Sequence, residues 1–198
     1  MKELQDYAGE YKPDFQLSDL SKDALLRLIG SYQRIFLGAL TGAQIAMRER
    51  LGNGEDLQLY SNDMYKRQLE LFEIPLVREA MNIQGDDVVA MMKYFQTCPD
   101  GTGQGLYAYD ADIKNKDHAI LTYTYCRSLL YFEKHEDVQG IQTMCGPGGS
   151  DDLAFQAICK AFNPDMKCRA LKLPPRKGKD DICCIWEYWV ERKGRGKV

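Results

Sequence analysis

The chain has no apolar run of 18 residues, so it offers no segment able to cross a membrane as a helix. Its opening, Met1-Lys2-Glu3-Leu4-Gln5-Asp6, is polar, so no secretory leader is expected. Histidine is scarce: His118 and His135 are the only two. Neither belongs to an HExxH pattern and no Ser-His-Asp pattern is found, which removes support for zincins and serine hydrolases. His118 adjoins a turn and His135 lies in the charged stretch Glu133-Lys134-His135-Glu136-Asp137, so both read as solvated. No GK[ST] follows the glycine-rich stretch, which excludes a P-loop. Neither sign of charge dominates. The net charge of −3 is spread along the chain and argues against a nucleic-acid partner, which calls for a basic face. CxxC pairs are missing too.

Seven cysteines are present, an odd number. Without a leader the expected setting is cytoplasmic, with reduced thiols. A chain of 198 residues buries about 70% of its unfolded surface and needs no disulfide to fold.

The organisation reads in two halves. Residues 1–20, with Gly9 and Pro13, form a loose arm, and 21–97 form a helical region. Ser21 is the expected cap of a long helix carrying Leu25, Leu28, Ile29, Tyr32, Ile35, Phe36 and Met47 at three- and four-residue steps. That helix runs to about Leu51 and stops at Gly52-Asn53-Gly54. Gly38 and Gly42 share a face that permits close packing, so a homodimer is expected. A second helix runs to about Glu73 and restarts near Pro75, and a third follows Gly85 with Asp86 or Asp87 at its cap.

From 98 to 191 the period changes to two. Strands are expected at 106–113, 119–125, 166–173 and 181–191, with helices between them and Ser150 capping the last. The fold class is α+β: N-terminal helices followed by a four-stranded antiparallel sheet packed with helices. Residues 192–198 are a basic tail.

Cys126, Cys145, Cys168 and Cys184 draw attention. Their spacings of 19, 23 and 16 exclude a zinc ribbon or finger, yet they lie on several elements that can converge. Alternation puts Cys184 with Trp186 and Tyr188, Cys126 with Thr122 and Thr124, and Cys168 with Met166 and Ala170. Three readings stand together: buried cysteines as small hydrophobes, a shared metal held by Cys126, Cys145, Cys168 and Cys184, and a nucleophilic thiol. Zinc is favoured as the metal, with an iron–sulfur cluster as the alternative. Gly146-Pro147-Gly148-Gly149-Ser150-Asp151-Asp152 reads as a turn into a helix, whose acids repel phosphate and can complete a metal site or act as a base.

A resemblance rests on Gly85-Asp86-Asp87-Val88 with Ala90, on Cys126-Arg127, on Cys145, and on Phe162-Asn163-Pro164 with Cys168 and Pro174-Pro175. It continues in Asp181-Ile182-Cys183-Cys184-Ile185-Trp186-Glu187-Tyr188. These segments resemble the L-2-amino-thiazoline-4-carboxylic acid hydrolase-like family, and more distantly the 4-vinyl reductase type of small-molecule-binding domain. The resemblance implies a ligand cavity between helices and sheet, dimeric assembly, and recurring cysteines at the positions of Cys126, Cys145 and Cys184. The chain departs from the hydrolases in having Lys179-Asp180-Asp181 where a glycine-aspartate pair is usual.

The expected function is hydrolysis of a C–N bond in a small cyclic substrate. Cys126, Cys145 and Asp151 would be catalytic, and Trp186, Tyr188 and Arg127 would contact the ligand. The alternative is a non-catalytic binding or sensor module with a cysteine-held metal.

Overall fold

The computed structural model describes residues 3–8, 10–52, 55–99 and 107–191. The expected basic tail and the start of the first expected strand, at 106, lie outside them. The chain forms two compact units, Met1–Arg50 and Leu51–Val198.

In the first unit, helix α1 spans Lys22–Leu51. Ser21 caps it as its pattern predicts: the hydroxyl accepts the Ala24 N–H at 3.2 Å. The arm is less loose than its composition implies. Leu4 N–H donates to Asp19 at 2.8 Å, Ser21 N–H donates to Leu4 at 2.9 Å, and Tyr7 stacks on Phe15 at 4.6 Å. Among the described residues of the single chain a methyl added at Gly38 or Gly42 meets nothing within 4 Å.

The second unit opens with α2 (Glu55–Gln68), a π-helical turn (Leu69–Glu73) and α3 (Ile74–Ala80) in one continuous path. Pro75 explains the widened turn. It has no N–H and its ring crowds the carbonyl four residues back, and a π turn relieves both conflicts without breaking the helix. Helix α4 (Val88–Thr97) is capped by Asp87, which accepts the Ala90 N–H at 2.9 Å.

Strands β1 (Tyr107–Asn115) and β2 (His118–Cys126) form a hairpin. Helices α5 (Arg127–Lys134), α6 (Val138–Cys145) and α7 (Ser150–Phe162) follow, then β3 (Met166–Lys172) and β4 (Cys184–Val190). The four strands form one antiparallel sheet in the order β1-β2-β4-β3, which gives the α+β class. The fourth strand is shorter than the expected 181–191, because 181–183 precede it as irregular chain.

Only one sheet face is apolar. Ala119, Leu121 and Tyr123 of β2, and Trp186 and Tyr188 of β4, point inward and are buried. The core they share with α4 and α7 includes Met91, Phe95, Ile158 and Phe162. The outer face is polar: Glu187 accepts from Arg169 Nε at 2.6 Å and pairs with His118 Nε2 at 2.9 Å. His118 is therefore half-buried and partnered on the sheet, where the sequence placed it in solvent.

Among the described residues no helix is long and apolar enough to cross a membrane.

Candidate functional site

A β-bulge decides where Cys126 points. Ala108 pairs with Tyr125 and Tyr109 pairs with Tyr123, so Thr124 is passed over. The extra residue reverses the alternation beyond it. Cys126 then pairs with Tyr107 and turns to the inner face with Tyr123, away from Thr122 and Thr124 as plain alternation had it. Its sulfur also caps α5, accepting the Leu129 N–H at 3.5 Å.

Cys145 and Asp151 meet across the glycine-rich turn. Gly146 N–H still bonds the Gln142 carbonyl at 2.9 Å as α6 ends, and Gly149 N–H bonds Gly146 at 2.9 Å. Gly148 adopts φ +71, a conformation that favours glycine. A Cβ on Gly149 would lie 2.7 Å from the Thr143 carbonyl oxygen. This tight path starts α7 immediately beside the end of α6, and it brings Asp151 near enough to Cys145 for its charge to raise that thiol. The N-cap of α7 is Gly149, and Ser150 is its first helical residue. The Ser150 hydroxyl donates to Asn62 Oδ1 at 3.1 Å, tying α7 to α2. Asp152 is occupied in the turn, accepting from Gly148 N–H at 3.0 Å and from Gln156 at 2.8 Å.

A cavity of about 80 Å³ lies between the inner sheet face and the helices. Tyr107 and Tyr109 of β1, Tyr123 and Cys126 of β2, and Cys184 of β4 form its sheet wall. Tyr94, Phe95 and Cys98 at the end of α4, Tyr65 of α2, and Asp151, Ala154, Phe155 and Ile158 of α7 form the rest. Phe155 is the hub of the rings: it meets Phe95 edge-on at 6.0 Å, Trp186 at 4.7 Å and Tyr188 at 6.0 Å. Such edge-to-face contacts hold ring positions beyond what burial does.

One wall rests on a buried acid. Glu73, in the π turn, accepts from the Tyr94 hydroxyl and from Gln68 Nε2 at 2.7 Å. Behind β4, Arg176 grips Glu133 with two bonds, 2.7 Å and 2.6 Å, and pins the segment that leads to Cys183 and Cys184 onto α5.

The thiols are held in their protonated form. Burial pushes Cys126 up to about 12, against the helix-end N–H of Leu129 and with help from the negative charge of Asp151. Cys145 and Cys184 are also pushed up, by burial first, then by Asp151 and by nearness to Cys126. Cys126, Cys145 and Cys184 each feel the charge of Asp151. All seven cysteines are free thiols.

Cys168 does not join them. It shares a face with Met166 and Ala170 as expected, but it pairs with Tyr188, four residues along β4 from Cys184. That is about 13 Å of strand, too far for a shared metal whose sulfurs lie within about 4 Å. It lies near Cys159 of α7 instead and raises that thiol. Among the described residues no three histidines, cysteines or acids stand where they could hold a metal ion. The expected four-cysteine zinc or iron–sulfur site does not fit this donor arrangement.

The expected ligand contacts also move. Trp186 and Tyr188 are 1% and 0% exposed and lie behind Phe155, outside the cavity lining. Arg127 is exposed on α5, away from the lining.

The lining tyrosines and Cys98 escaped the sequence reading. Tyr107, Tyr109 and Tyr123 did carry a signal, since they occupy alternate inward positions of two adjacent strands. Tyr65, Tyr94 and Glu73 had none, because their roles depend on helix-to-sheet contacts.

Compared with known families, curated proteins and solved structures, the chain gives no match.

Proposed function

We propose that the second unit is a small-molecule-binding module whose ligand sits among the rings and thiols beneath α4 and α7. The observation that carries this reading is the cavity of about 80 Å³, walled by aromatic rings and given one acid. Apolar walls with a few placed polar groups are the usual make-up of ligand sites. At about 10–15 Å³ per water-sized sphere, the space suits a ligand of roughly six heavy atoms. Filling it is the test. Ala154→Leu adds bulk on the lining face of α7 without disfavouring the helix. Ligand-detected NMR with a fragment set should give binders for the native chain and lose them in A154L, with the circular dichroism spectrum unchanged. Binders that persist in A154L, or none with the native chain, overturn the reading.

One observation favours a second, enzymatic reading, in which the resemblance to thiazoline hydrolases carries over. Cys126 sits at the N-terminus of α5 with a backbone N–H on its sulfur, an arrangement that lowers the cost of a thiolate. Attack on a ring carbon would need that proton to move first, and Asp151 is the nearby acceptor. Turnover of 2-amino-thiazoline-4-carboxylate by the native chain, abolished in Cys126→Ala, would support it. Absence of turnover in the native chain removes it and leaves the binding module.

Self-association belongs to the same proposal. Phe72 and Leu76, one helical turn apart, are 60% and 59% exposed. Light scattering should give twice 22.7 kDa, and a mass of 22.7 kDa would remove this part.

A further inference from the structure

A groove of about 470 Å³ opens on the outer face of the sheet, opposite the rings and thiols. His118 of β2, Glu187 and Trp189 of β4 and Arg169 of β3 form its floor, and Asn115 and Asp117 beside the β1–β2 turn form its rim. Strand register brings them together: His118 pairs with Trp189 from one side of β4, and Arg169 pairs with Glu187 from the other. With β4 between their strands, His118 and Arg169 stand about 10 Å apart.

The charges in this groove are unequally used. Glu187 spends both oxygens, Oε1 on His118 Nε2 at 2.9 Å and Oε2 on Arg169 Nε at 2.6 Å. Asp117 pairs with Lys116 at 2.8 Å. A cation entering the groove would meet carboxylates that already have a cation beside them. Arg169 differs. A guanidinium donates from every nitrogen, and among the described residues the hydrogen bond of Arg169 runs through Nε to Glu187. Its side chain is 64% exposed, and it is seated with its guanidinium carbon 5.6 Å from the centre of the Trp189 ring. The bond to Glu187 and the ring beneath it hold the guanidinium in place before any ligand arrives, which lowers the cost of binding. The two terminal amino groups then form a fork that matches both oxygens of a carboxylate. Trp189 supplies apolar ring surface beside that fork, and ring against ring favours an aromatic acid over a bare anion.

We propose that the outer-face groove binds a small aromatic carboxylate, with the terminal amino groups of Arg169 donating to its two oxygens and its ring against Trp189. The site is separate from the cavity beneath α4 and α7 and stands whether or not that cavity takes a ligand.

The test is NMR titration of the native chain with benzoate, benzamide and acetate at constant ionic strength. Benzoate should bind about tenfold more tightly than benzamide, which keeps the ring without the charge, and about tenfold more tightly than acetate, which keeps the charge without the ring. Backbone amide shifts should move at His118, Arg169, Glu187 and Trp189 and stay still at Tyr123 and Phe155. Arg169→Lys keeps the charge and loses the fork, so it should weaken benzoate about tenfold and leave benzamide unchanged. Should R169K lose the native spectrum, Trp189→Leu carries the test, because it should bring benzoate down to the level of acetate. Ala154→Leu, which fills the inner cavity, should leave benzoate binding as it is. Equal binding of benzoate and benzamide, or of benzoate and acetate, overturns the proposal. So does a native-like R169K that keeps its benzoate affinity, or no benzoate binding at millimolar concentration. Shifts confined to the cavity lining and lost in A154L overturn it while the cavity reading stands.

Discussion

Cys126 sits where opposing influences meet: the N-terminus of α5 favours its thiolate, while burial and Asp151 oppose it, and burial wins. A folded-state value of about 12 lies above the ordinary thiol value near 8.5. The unfolded chain therefore loses this proton first as pH rises. Stability from the protonated thiol is complete below about 8.5 and is lost progressively between there and about 12. Cys145 and Cys184, raised in the same direction, add to the slope. Urea unfolding from pH 8 to 11 should show stability falling, and Cys126→Ala should make the fall shallower. A flat profile would contradict the buried, protonated thiols. Tyr188 makes a second point at this scale. Its hydroxyl is buried and has no hydrogen-bond partner among the described residues. An unsatisfied buried hydroxyl is a cost of about 1–3 kcal/mol, so Tyr188→Phe should be neutral or stabilising in thermal melts. A clear destabilisation would mean that the hydroxyl has a partner.

At the scale of elements, the joint between α6 and α7 matters most. It brings the Cys145 thiol to Asp151, and it depends on backbone passing over backbone. A Cβ at Gly149 would lie 2.7 Å from Thr143 O, 2.9 Å from Gly146 O and 2.9 Å from Met144 O. Carbonyl oxygens of a helix end cannot yield as a flexible side chain does. Gly149→Ala should cost about 1–3 kcal/mol in denaturant unfolding, the scale of an overpacked site. It should also weaken binding in the cavity by shifting Asp151. Gly178→Ala, where an added Cβ meets nothing within 4 Å, is the control and should stay within about 0.5 kcal/mol of the native chain. Equal effects at the two glycines would show that the joint tolerates movement.

At the scale of the whole molecule, the chain should be stable over a plateau bounded by two sets of groups. The buried thiols set the alkaline side. Acids on the outer sheet face and beside it set the other. Lys172 holds Asp181 down to about 2, with the Lys177 backbone N–H assisting. Arg169, and then His118, hold Glu187 below the usual carboxylate range. These groups bind protons less readily when folded, so their contribution is present above about 4 and is lost as pH falls toward 2. Acid titration followed by circular dichroism should begin to lose structure in that window. Glu187→Gln should move the onset upward, and an unchanged onset would remove Glu187 from the account.

The sequence by itself determined the class and the order of the elements. Three- and four-residue apolar spacing marks α1, the alternation from Ala119 to Tyr123 marks β2, and Asp87 and Ser21 mark helix starts. These signals are local, since each depends on neighbours within a turn or a strand. The company of Cys126 was not legible in the same way, because plain alternation put its side chain with Thr122 and Thr124 on the other face. The tertiary structure decided the rest. The bulge at Thr124 reversed the face of Cys126, and strand register carried Cys168 about 13 Å away to Cys159. Helix packing drew Trp186 and Tyr188 into the core and brought Tyr65, Tyr94 and Phe155 to the cavity in their place. Register, bulges and helix-to-sheet contacts join residues far apart in the chain, and no short-range pattern encodes such pairings.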